Sequence, residues 1–172
     1  MPFPNSGGVN LATRSGVNEF VFAKLDALQN SNIGANDHVK WDLVVASRGG
    51  AVVLDTTTAY SNSTGAASIG RFTLKAGLTY KLMAALPYLL GSGATGLIDL
   101  QWFDATLAAA LPGTMQSALV ATTATNDIGG GLAVAVFSPA QDTLVELRII
   151  TATALTQLGT AAREAFAFVE TI

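Results

Sequence analysis

Apolar residues in this chain recur at every second position, and that period limits the fold more than any other feature. Across residues 39–45 they fall on Val39, Trp41, Leu43 and Val45, with Lys40 and Asp42 between them. Phe72, Leu74 and Ala76 alternate with Arg71, Thr73 and Lys75. After Gly77 the alternation resumes through Leu78, Tyr80, Leu82, Ala84 and Leu86. Ile98, Leu100 and Trp102 continue it, as do Val145, Leu147 and Ile149, and Phe166 and Phe168 close the chain. A period of two sends successive side chains to opposite faces of a strand, whereas a helix needs 3.6. Turn-forming pieces separate the runs, at 47–50, 61–65, 91–93, 112–113, 126–131 and 138–139. Short strands punctuated this way predict an all-β sandwich or barrel. Residues 105–124 are rich in alanine, but Pro112-Gly113 interrupts them, so a loop followed by a strand is expected there.

Charge sharpens the reading. Only 12% of the residues are charged, against about 25% in ordinary globular chains. Half are hydrophobic, which excludes disorder. Nine Lys+Arg and twelve Asp+Glu are too few to cover a monomer of 172 residues. Either a membrane or other subunits must take part of the surface. The charge-free runs 82–98 and 105–126 are broken by Pro87, Gly91, Gly93 and Gly96 and by Pro112-Gly113. Neither supplies the ~20 apolar residues of a spanning helix, so no membrane insertion is expected. Strands near 80–88, 97–103 and 132–137 are apolar on both faces, and such strands must be covered twice. A buried subunit interface answers both problems. The start Met1-Pro2-Phe3-Pro4-Asn5 has no basic or apolar region of a signal peptide. There is no cysteine, and the net charge of −3 argues against nucleic acid as a partner.

Few residues offer chemistry. His38 is the single histidine and stands beside Asp37 in a polar loop, where a solvated side chain is expected. Asp99, Asp104 and Glu146 read as lone surface acids rather than a hydrolytic pair. Glu146 and Arg148 share one side of a strand and are expected to form cross-strand or intersubunit ion pairs. Asn36, Asp37 and Asp42 carry oxygens but lack the spacing of a calcium loop. No nucleophile elbow or phosphate loop occurs. The expectation is therefore no catalytic residue, no cofactor and no metal.

One stretch carries a family resemblance. Gly70-Arg71-Phe72-Thr73-Leu74-Lys75-Ala76-Gly77-Leu78-Thr79-Tyr80-Lys81-Leu82 resembles the Gly-x-Phe-Thr and Gly-x-Tyr core hairpin of trimeric jelly rolls. These are the tumour-necrosis-factor-like domains and the globular heads of complement and collagen-type proteins. The form here is more similar to that in tailed-phage virion proteins, which continue with a segment like Leu100-Gln101-Trp102-Phe103-Asp104-Ala105-Thr106. The resemblance spans residues 39–172. It implies a homotrimeric jelly-roll sandwich of two antiparallel sheets, and the polar, glycine-rich residues Asn5 to Gly16 ahead of it read as an extended N-terminal arm. Residues 1–35 would form the arm and first strand, and 36–172 the jelly roll. Tyr80, Leu82, Tyr88, Phe103, Phe137, Phe166 and Phe168 are the expected trimer interface, and Phe3, Asn10, Leu11 and Arg14 the expected attachment residues.

The implied function is a non-enzymatic capsid decoration or cement protein. It would be made in the host cytoplasm and carried on the virion surface, bound to the major capsid protein through its arm. So short a chain beginning at Met1 is expected to be a whole protein rather than a fibre tip. The alternative is the receptor-binding head of a tail fibre or spike, whose loops 61–65, 91–96 and 126–131 would meet a host surface glycan or receptor. Those loops hold few aromatics for stacking on sugars. An enzyme is disfavoured by the missing motifs, and a secreted signalling ligand by the missing signal peptide.

Overall fold

A computed structural model describes residues 17–27, 29, 33–61, 67–90, 95–114, 116–121, 128–153, 155–158 and 164–172. Every regular element among them is a strand. In chain order these are β1 (Phe20–Lys24), β2 (Leu43–Arg48), β3 (Val52–Asp55), β4 (Tyr60–Ser61), β5 (Ala67–Ser68), β6 (Arg71–Leu74), β7 (Tyr80–Leu90), β8 (Thr95–Asp104), β9 (Ala109–Ala110), β10 (Gly113–Thr114), β11 (Gln116–Ala121), β12 (Ile128–Phe137), β13 (Thr143–Thr153), β14 (Leu155–Leu158) and β15 (Phe166–Thr171). Two antiparallel sheets carry almost all of them. The first runs β10-β12-β7-β15-β1-β2, with β14 also on β7. The second runs β11-β8-β13-β6-β3, with β9 on β8.

Alternation decides which residues face inward. β1, β7, β12 and β15 contribute Val21, Ala23, Leu82, Ala84, Leu86, Tyr88, Ala133, Ala135, Ala167 and Val169. β6, β8 and β13 oppose them with Phe72, Leu74, Ile98, Leu100, Trp102, Val145, Leu147 and Ile149. All of these are buried. The first sheet presents mostly small residues where the second presents its largest ones, so the two faces interdigitate. Trp102 lies against the alanines of β12 and donates its indole N–H to the carbonyl of Ala133 at 3.3 Å.

The all-β expectation holds in the region of alanines too. Residues 105–108 form a turn, followed by the short strands β9 and β10 and then by β11. Two other expectations need correction. The run at 39–45 is not one half-buried strand. Its first part pairs with β13, through Val39 N–H on the carbonyl of Leu147 (2.9 Å) and Ile149 N–H on that of Asp37 (2.8 Å). Its second part crosses to the other sheet as β2, where Leu43 and Val45 are exposed while Val39 and Trp41 are fully buried. The strand expected at 80–88 is present as β7 and runs through Pro87 to Leu90. β15 pairs with β7 only as far as Ala85 and β14 only from Tyr88, so the missing N–H of Pro87 falls between the two partners. Finally, residue 35 is no boundary between arm and domain. β1 lies inside the first sheet between β15 and β2, with Val21 and Ala23 in the core.

Gly70 is held by the backbone. Its φ is +100°, and a Cβ there would meet the N and O of Trp41 at 2.4 and 2.7 Å. Gly70→Ala is expected to cost about 3 kcal/mol, since both the φ and the contact are unfavourable. A fall in the urea midpoint at constant slope would register it; an unchanged midpoint would refute it.

Candidate assembly interface and a buried ionic cluster

The outer face of the first sheet is the mirror image of its core pattern. Phe20 and Phe22 on β1 point outward with Phe166 and Phe168 on β15. The register sets Phe22 opposite Phe168. The rings cluster, with centroids 5.5 Å apart for Phe20–Phe168, 5.9 Å for Phe22–Phe166 and 6.4 Å for Phe22–Phe168. Met83 and Ala85 extend the band across β7, and Leu132, Val134 and Val136 across β12. Val136 is 53% exposed and Leu132 41%. Charge is confined to the rim, where Lys24 bonds Glu164 at 3.0 Å and Lys81 lies 3.9 Å from Glu170. A contiguous apolar face with a charged margin is the signature of a covered surface.

Of the seven expected interface residues, the structure places Phe166 and Phe168 on this face. Tyr80, Leu82 and Tyr88 are corrected: each is fully buried within one chain, leaving a partner nothing to cover. The Tyr80 hydroxyl donates to the carbonyls of Lys75 (2.9 Å) and Ala51 (3.1 Å). Phe137 packs on the core at the end of β12. Phe103 lies on the outer face of the opposite sheet, with the Arg148 guanidinium 3.4 Å from its ring centroid. With β7 and β12 nearly uncharged, alternation alone could not tell their inner residues from their outer ones. Phe20 and Phe22 share this face but were not among the expected residues. The signal for them was the matching Phe-x-Phe pattern on β1 and β15. Phe3, Asn10, Leu11 and Arg14 lie outside the described residues, as does most of loops 61–65 and 91–96.

Among the described residues, the densest ionic cluster lies on the outer face of the second sheet. Glu146 on β13 is 1% exposed. Its carboxylate accepts from Arg71 Nε on β6 and from Arg148 Nε, each at 2.5 Å. The cross-strand pairing expected of Glu146 is present, but the residue is buried rather than a surface acid. His38 is likewise buried, at 2% exposure. It pairs across from Arg148 through an isolated bridge, which brings its Nδ1 to 4.0 Å from Glu146. Among the described residues its Nε2 has no hydrogen-bond partner. Asp99 and Asp104 are buried as well. Asp104 faces away from Glu146 and caps the following turn, accepting from the N–H groups of Thr106 (2.8 Å) and Leu107 (2.9 Å). No hydrolytic carboxylate pair forms between Asp104 and Glu146. Asp37 and Asp42 are also separately engaged. Asp37 accepts from Gly34 N–H, and Asp42 from the N–H groups of Asp26 and Ala27. Among the described residues no three His, Asp or Glu side chains are arranged to hold a metal.

Burial pushes the His38 pKa down from its ordinary value of 6.5, and the Arg71 and Arg148 charges act the same way; Glu146 and Asp37 oppose them. The folded chain therefore favours the neutral imidazole. This contributes stability that is present above pH 6.5 and lost as the pH falls below it. His38→Gln is expected to flatten the acid limb of a stability-versus-pH curve. An identical curve for the variant would show that another group sets that limb.

Compared with solved structures, the chain is similar to murine APRIL. The pH 5.0 crystal structure matches with a TM-score of 0.52 at 13% identity, covering 90% of this chain and 99% of that one. The pH 8.0 structure gives 0.55 at 11% identity with the same coverage. Eiger TNF from S. frugiperda matches with 0.52 at 11% identity, covering 91% of this chain and 92% of that one. No protein-family model and no curated protein matches the sequence. The fold is thus a jelly roll of the tumour-necrosis-factor type. At these identities the likeness extends to architecture alone.

Proposed function

We propose that this chain is a non-enzymatic structural protein that assembles as a homotrimer through the aromatic outer face of its first sheet and decorates a virion shell. The observation that carries the reading is that face. Four phenylalanines and the exposed Leu132 and Val136 form one apolar band in a chain with only 12% charged residues. Three copies closing around a threefold axis cover it and stop growing. The virion setting rests on the resemblance of residues 70–82 and 100–106 to tailed-phage proteins. Attachment to the major capsid protein falls to the segment before Val17, with Phe3, Asn10, Leu11 and Arg14 as contacts. Added contact area at capsid junctions stabilises a shell by mass action.

Quantitative mass spectrometry of purified particles of the virus that encodes the chain tests the setting. Hundreds of copies per particle are expected. A handful would favour the alternative of a fibre or spike head, and absence from the particles would overturn both.

A further inference from the structure

β13 is paired with β8 from Val145 to Thr153. On its other side β6 reaches only Thr143 to Val145, and residues 36–39 fill the next positions. Asn36 N–H donates to the carbonyl of Ile149 at 2.6 Å, Ile149 N–H to that of Asp37 at 2.8 Å, and Val39 N–H to that of Leu147 at 2.9 Å. Gln29 brackets the segment. Its amide donates to the His38 carbonyl at 3.3 Å and accepts from Lys40 N–H at 2.9 Å. Just beyond, Trp41 is fully buried, and the chain then crosses to β2 in the other sheet.

This attachment works against local preferences. Asn36 has a φ of +67°, a region that most residues avoid. The His38 ring is buried with Nε2 unpartnered among the described residues, and an unpaired buried polar atom is unfavourable. The charges that face the ring are already engaged. Glu146 of β13 is shared by Arg71 of β6 and Arg148 of β13, and Asp37 accepts from Gly34 N–H. Glu146 lies 4.0 Å from Nδ1, beyond hydrogen-bond length. Two cations and two anions therefore surround the ring and offer no spare counter-charge for an imidazolium. Water is the better setting for the charged ring, and only detachment of its segment puts it there.

We propose that residues 36–39 are an acid-released latch on β13 with His38 as its trigger: a proton taken up by the exposed imidazole keeps the segment off the strand, while Trp41 anchors the crossover to β2. The ring is neutral in the closed state and charged in the open one. Below its ordinary pKa of 6.5, the open fraction therefore rises by up to about tenfold for each pH unit. The latch lies on the sheet opposite the aromatic band, so it goes beyond the assembly and virion reading and depends on neither.

Amide exchange on the full chain tests it. Protection at Asn36, Val39 and Ile149 is expected to be at least about tenfold weaker than across the β7–β12 ladder, as local opening requires. Corrected for the intrinsic pH dependence of exchange, it is expected to fall about tenfold more between pH 6 and pH 5. Protection equal to that of the ladder, or unchanged with pH, overturns the proposal. In His38→Gln these amides are expected to hold one protection at both pH values; a fall that persists there makes Asp37 or Glu146 the trigger and overturns it too. As the single histidine, His38 gives one titrating ring resonance in the unsubstituted chain. A midpoint below 6.5 is expected, and one at or above 6.5 overturns the latch even if the variant fails to fold.

Discussion

Replacing Phe22 and Phe168 by aspartate is expected to reduce the assembly from three times the 17.6 kDa chain mass to a single chain. The two rings face each other across β1 and β15 at the centre of the aromatic band. Neither contributes to the inward core formed by Val21, Ala23, Ala167 and Val169, so the sandwich survives the change. Central aromatic anchors commonly contribute 2 kcal/mol or more each to an interface. Two carboxylates placed there add a desolvation cost that no rim charge offsets. Light scattering reads the mass, and circular dichroism the retained strands. A trimer unaffected by the double substitution would move the interface elsewhere, and an unsubstituted chain that is already monomeric would remove it.

Glu146→Ala is expected to destabilise the fold by about 3–5 kcal/mol, because it strands two guanidinium groups that share one buried carboxylate. Arg71 and Arg148 are 16% and 24% exposed, so water relieves only part of the loss. For a chain of this length that corresponds to a melting-temperature drop of about 6–20 °C. The cluster lies on the sheet opposite the aromatic band, so the oligomeric mass should not change. Replacing all three residues together, as Arg71→Met, Glu146→Leu and Arg148→Met, is expected to recover most of the stability, since a buried ion pair contributes little over well-packed apolar groups. A drop below about 2 °C for Glu146→Ala would show that the cluster is solvated.

Much of the sandwich was legible because burial on one face imposes a period of two. Phe72 and Leu74, Ile98 to Trp102, and Val145 to Ile149 all sit where alternation places them. Legibility failed where a residue's partner is far away in sequence. Nothing local in Asp37-His38 signals that the segment pairs with β13, over a hundred residues later, and becomes buried. Glu146 reads as a surface acid until Arg71 arrives from β6. At 39–45 a single alternating pattern serves two sheets, so its period was right but its burial changed sign between Trp41 and Leu43. Of the expected interface residues, Phe166 and Phe168 lie on the outer aromatic face, but Tyr80, Leu82 and Tyr88 were not separable from outward neighbours on a strand whose one charge is Lys81.

The position of β1 has a consequence for how the chain is made. Phe20 to Lys24 pair with Glu170 to Phe166, so the first described strand has its neighbour in the last one. While the ribosome is still extending the chain, β1 has only the edge strand β2 for a neighbour, and its four apolar residues stay open to other chains. Such distant closure makes folding slow and leaves the emerging polypeptide exposed to aggregation. Removing the final seven residues, from Phe166 onward, would leave β1 joined to the sandwich only through the edge strand β2. β1 therefore completes its place in the first sheet only after residues 166–171 have left the ribosome.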